Sequence, residues 1–135
     1  MKLIFISTFF AATIFLFIDI IWLSFSYKSF YKPNIGHLMM DSPPIMWAAI
    51  LFYVIYTLSV AIVVIAPSID SVSMFKTLYT GFFFGLAAYG TYNLTNMAVL
   101  KDWSVSVVFI DMLWGGILTA SSSTLGIILA KKFFS

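Results

Sequence analysis

Two aspartates lie where a charge is costly. Asp19 falls within FIDIIW at residues 17–22, and Asp111 within FIDMLW at residues 109–114, each inside a long apolar run. A carboxylate at the centre of a membrane helix costs about 2.5 to 3.5 kcal/mol on insertion scales, which makes it a candidate functional group by default. Such groups hold protons, accept hydrogen bonds from a ligand, or act together as acid and base. A tryptophan follows each Asp by three residues, Trp22 and Trp114. That step keeps both side chains on one helix face. Each indole is therefore a candidate N–H donor to a carboxylate, or a ring wall for a ligand.

Other polar residues join them. Asn93 and Asn96 interrupt a third apolar run, with Tyr89 and Tyr92 beside them. His37, the only histidine, sits in a turn bounded by Pro33 and Gly36. One histidine excludes multi-His metal sites within the chain. Hard-oxygen ligation by Asp19, Asp111, Asn93 and His37 is chemically open, but the spacing does not call for it, so no metal is expected. The absence of cysteine excludes disulfides, iron–sulfur clusters and thiol nucleophiles. There is no phosphate loop, no HExxH and no Gly-rich dinucleotide turn. All seven cations are Lys, so the bidentate Arg clamp for phosphate is missing too. Nothing here implies a cofactor. SSST at residues 121–124 has no base beside it and reads as helix packing.

The elements that position these residues follow from composition. Of 135 residues, 62% are hydrophobic and only 9% charged. A soluble domain carries about 25% charged residues, so this chain has too little polar surface to wrap a globule in water. Runs of about 20 apolar residues read as membrane helices. Four are expected, at 3–26, 45–66, 75–100 and 104–130, forming one all-α integral membrane four-helix bundle. Pro43 and Pro44 precede the second and Pro67 follows it, as prolines mark helix ends. The first is longer than the apolar core of a secretory signal and reads as a retained helix. Trp47 and Trp103 lie near span ends, where aromatic residues anchor helices at the interface.

Four spans put the end of the first, the end of the third and the start of the fourth on one side. Asp19, Asn93 and Asp111 each lie seven residues inside those ends. At 1.5 Å per residue, all three fall about 10 Å below the same surface. The loop with His37 is on that side as well. Gly81, Gly85, Tyr89 and Asn93 step by four along the third span, and Gly115, Thr119 and Ser123 along the fourth, beside Gly116, Ala120 and Thr124. Small residues at that step let helix backbones approach. The first, third and fourth spans should meet, with the acids and asparagines turned inward. Lys2, Lys76, Lys131 and Lys132 outnumber Lys28, Lys32 and Lys101, so both termini are expected in the cytoplasm.

DIIWL, FYKPNIGHLM, FYVIY, GLAAYGTYNLTNMAVLKDW and DMLWGGILT occur in this order over nearly the whole chain. In that pattern the chain resembles the small bacterial membrane proteins grouped as domain of unknown function 2177. The resemblance implies a four-span protein of the bacterial inner membrane and brings no activity with it. From the residues, the leading reading is a binding or transport protein. A pocket in one leaflet, built on Asp19, Asn93, Asn96 and Asp111 and walled by Trp22, Trp114 and Tyr92, would hold a small polar ligand, a lipid headgroup or a proton. An intramembrane enzyme acting on a lipid or quinone-like substrate is the second reading, and an accessory subunit with a purely structural cluster is the third. Membrane lipid is the expected partner and a homodimer an open option. A net charge of +2 gives no reason to expect nucleic acid.

Overall fold

The computed structural model describes residues 1–135 as helices joined by turns, with no strand. In chain order the helices are α1 (Lys2–Ser26), α2 (Lys32–Ile35), α3 (Met46–Val60), α4 (Phe75–Val99) and α5 (Val105–Phe134). All but the short α2 are long rods that alternate in direction. Lipid offers the backbone no hydrogen-bond partners, so a chain this apolar must satisfy its amides internally. Of 101 backbone–backbone hydrogen bonds, 93 lie within the regular elements. The outer surface is correspondingly apolar, with Phe5, Phe9, Ile62 and Phe109 among the large side chains left exposed.

Two prolines shape the rods. Pro33 has no N–H to donate, and its ring crowds the carbonyl four residues back. The chain meets this with a widened π turn, Tyr27–Tyr31, closed by Lys32 N–H donating to the Tyr27 carbonyl. The first rod therefore runs on through α2 and a 3₁₀ turn, Gly36–Leu38, instead of stopping at Ser26. An identical device stands two residues ahead of Pro67. There Ala61–Ile65 forms a second π turn, closed by Ala66 N–H on the Ala61 carbonyl, before a 3₁₀ turn at Ala66–Ser68.

The rods Lys2–Leu38, Met46–Ser68 and Val105–Phe134 are long and apolar enough to cross a membrane. At 25 residues α4 is long enough, but its Thr, Tyr and Asn content keeps it below that apolarity. Its polar Thr77 and Asn93 are buried, and it packs antiparallel along α5.

α5 is the centre of the bundle. The expected meeting of α1, α4 and α5 occurs, with α1 and α4 each lying along α5. Small residues make this possible. A Cβ on Gly85 would collide with the Gly115 carbonyl, and one on Gly126 would come within 2.7 Å of the Ser7 carbonyl oxygen. Both glycine faces are thus used inside the chain. Ser104 caps α5, its hydroxyl accepting from Val107 N–H at 3.4 Å. The helix then continues to Phe134, carrying Lys131 and Lys132 in its last turn.

Trp103 corrects its expected role as an interface anchor. It is only 8% exposed, packed with Tyr31, Ile35, Val107 and Val108 where the extended first rod folds over the start of α5. Trp47 is 71% exposed at the start of α3.

Candidate functional site

The site is built at the end of the bundle where α1, α4 and α5 converge. Asp19 is 7% exposed, Asp111 8%, and Asn93 fully buried. Each carboxylate oxygen accepts one hydrogen bond. Asp19 Oδ1 accepts from Trp114 Nε1 at 3.2 Å and Oδ2 from the Tyr53 hydroxyl at 3.0 Å. Asp111 Oδ1 accepts from the Tyr31 hydroxyl at 2.7 Å and Oδ2 from Asn93 Nδ2 at 2.7 Å. These four bonds tie together α1, the first π turn, α3, α4 and α5.

The repeated FIDxxW motif works crosswise. Trp114 donates to the aspartate of the other copy, Asp19. Trp22 donates at 3.1 Å to the Tyr31 hydroxyl, which in turn donates to Asp111. The two indoles stack on each other, with centroids 4.4 Å apart and planes 16° from parallel. Because α1 and α5 run antiparallel, each motif presents its tryptophan to the other's acid, once directly and once through a tyrosine.

Beside this network lies a cavity of about 230 Å³, lined by both aspartates, by Tyr27, Tyr31, Tyr89, Tyr92 and Trp114, and by the aliphatic side chains of Leu23, Ile35, Met39 and Val107. An ionised carboxylate has about four lone-pair positions. Two on each Asp are occupied by the donors above, which leaves acceptor capacity. None of the lining residues is a cation. Lys76 and Lys131 are spent at the opposite end, donating to the carbonyls of Pro67 and Ser71.

Of the residues expected from sequence, Asp19, Asp111, Asn93, Trp22 and Trp114 form the network, and Tyr92 lines the cavity with its ring edge-on to Trp103. Asn96 stands apart, half-buried one turn further along α4 and without a side-chain hydrogen bond. His37 is exposed in the 3₁₀ turn and does not line the cavity. Tyr31 and Tyr53 are additions that the sequence did not single out. Both occur in segments that carry the family pattern, FYKPNIGHLM and FYVIY, which was their one available signal.

A family model described as a predicted membrane protein, DUF2177, matches residues 4–128. The chain belongs to this family. No curated protein and no solved structure shows a significant match. The family's membrane character agrees with the apolar rods, and the site residues from Asp19 to Trp114 all fall within the matched span.

Proposed function

We propose that this family member is a binding protein of the bacterial inner membrane that takes up an ammonium group, or a proton in its place, between Asp19 and Asp111. The observation that carries this reading is a cavity with two buried acids, five aromatic rings and no cation. Tyr, Trp and Asn donors hold the carboxylates in place but bring no positive charge. A buried charge is tolerated when it is paired, so the ligand is the natural source of the missing charge. Aromatic faces attract cations through the ring quadrupole, by about 0.5 to 2 kcal/mol per contact. An ammonium would meet both kinds of partner here. With both termini in the cytoplasm, as the lysine distribution favours, the site lies in the outer leaflet.

The stacked Trp22 and Trp114 make the site its own reporter. The experiment is a titration of purified protein in phosphatidylcholine nanodiscs with ethylammonium chloride, against sodium chloride at equal ionic strength, followed by tryptophan fluorescence. Ethylammonium should give a saturable change and sodium none. Asp19→Asn and Asp111→Asn should each weaken binding roughly tenfold, about 1.4 kcal/mol. A response that survives unchanged in the double variant, or no saturable response at all, sinks the proposal.

A further inference from the structure

α3 is packed at one end only. Tyr56 meets Phe15, Phe84 and Tyr89, and Val60 is buried, but from Ile45 to Phe52 every residue except Ala49 is exposed. A helix exposed on all faces over two turns stands off its neighbours. The gap this leaves beside α4 is a second cavity of about 360 Å³, lined by Phe52, Ala88, Tyr89, Tyr92 and Asp111. It shares Tyr89, Tyr92 and Asp111 with the acid cavity. The gap is therefore apolar at its mouth, toward lipid, and acidic at its base.

We infer that the ligand is an amphiphilic amine that reaches the site sideways from the membrane, passing its ammonium between Phe52 and Ala88 to Asp111 and Asp19 while its hydrocarbon chain stays in the mouth. This inference rests on the ammonium-binding reading above and adds the ligand class and route. Charge complementarity selects the head, because the only charged group in the gap is Asp111. The apolar lining selects the tail, since a chain leaving lipid for this mouth exchanges one hydrocarbon environment for another. Anionic amphiphiles would meet an acid at the base with no cation to receive them.

The test compares dodecylammonium with ethylammonium, which share a head and differ in the tail, using the full chain in phosphatidylcholine nanodiscs. Dodecylammonium is referred to its membrane concentration. Ala88→Trp fills the mouth and leaves the acids untouched. It should weaken dodecylammonium binding roughly tenfold and leave ethylammonium within about twofold. Phe52→Ala, which removes a half-exposed ring from the same mouth, should speed dodecylammonium association about threefold without changing ethylammonium. Equal effects of Ala88→Trp on both amines, no effect on either, or Phe52→Ala leaving association unchanged overturns the sideways route while the ammonium site stands. If the wild-type chain binds neither amine, the ammonium site itself is wrong.

Discussion

The two halves of this bundle bury polar groups in opposite ways. In the half with the acids, large polar side chains reach across helices and five hydrogen bonds join them, with Asn93 Oδ1 and Trp103 Nε1 the buried atoms there left without a partner. In the other half the buried polar groups are small hydroxyls. Ser7, Ser68, Thr77, Ser123 and Thr124 are all closely packed, and their hydroxyls take no hydrogen bond. Hydroxyls that face lipid behave differently again. Thr13, Ser24 and Thr91 each donate to the carbonyl four residues back. Tyr56 and Thr119, hydrogen-bonded at 2.5 Å, mark the border between the two halves. The hydroxyl half trades hydrogen bonds for close backbone approach, and its role is to hold α1 and α4 against α5. The acid half joins two cavities at Asp111 to a hydrogen-bonded network, which is what a ligand site requires. The hollows of the other half, about 290 Å³ beside Phe9 and about 400 Å³ beside Phe83, reach no charged group.

The largest effect should come from breaking the close approach. Gly85→Leu places a side chain on the Gly115 carbonyl and Thr119, both part of α5 and unable to move aside. Overpacking costs about 1 to 3 kcal/mol where neighbours can adjust, and more where they cannot. The variant should fail to give a monodisperse protein on size exclusion in detergent. If Gly85→Leu folds and binds ethylammonium like wild type, the hydroxyl half is not the clamp described here.

Next in size is Asp111→Ala. It leaves the Tyr31 hydroxyl and one Asn93 N–H without their acceptor. An unpaired buried donor costs about 1 to 3 kcal/mol, so unfolding by sodium dodecyl sulfate should shift by about 2 kcal/mol. Asp111→Asn keeps an acceptor oxygen and should cost about 1 kcal/mol or less. Both variants should weaken amine binding by the same factor, roughly tenfold. That separation of stability from binding distinguishes a ligand site from a cluster that only fixes helix packing. Equal destabilisation by both, with binding lost in proportion to unfolded protein, would favour the packing role.

Much of this was legible in the sequence because lipid makes polar residues conspicuous. An Asp in an apolar run has few explanations, so Asp19 and Asp111 stood out, and alternating spans placed them with Asn93 on one side. Three of the rods followed from hydropathy and α4 more weakly, and the glycine steps marked the faces that α4 and α5 share. Tyr31 and Tyr53 escaped because a tyrosine in an apolar run is ordinary. The position of Tyr31 also depends on the π turn ahead of Pro33, which continues the first rod past its expected end at Ser26. The crosswise service of each Trp to the other motif's Asp was hidden for a different reason. Spacing of i, i+3 says that two side chains share a face, and only the antiparallel packing of α1 on α5 says which acid the indole meets. The retreat of α3 from α4, which opens the second cavity, left no mark in hydropathy at all.

The smallest effect is the sharpest test of the contrast. Ser123 is fully buried on α5, and its hydroxyl has no partner. Ser123→Ala removes that hydroxyl and leaves the backbone path unchanged. A buried hydroxyl without a hydrogen bond is a cost to the folded state, and an apolar replacement of the same shape is close to neutral or stabilising. The substitution should therefore change unfolding free energy by less than about 1 kcal/mol, in the stabilising direction, and leave ethylammonium binding unaltered. A loss of stability comparable to that of Asp111→Ala would mean that this hydroxyl works through a hydrogen bond as the acid half does. The two halves would then use one packing rule, and the site could no longer be located by where partnered polar groups gather.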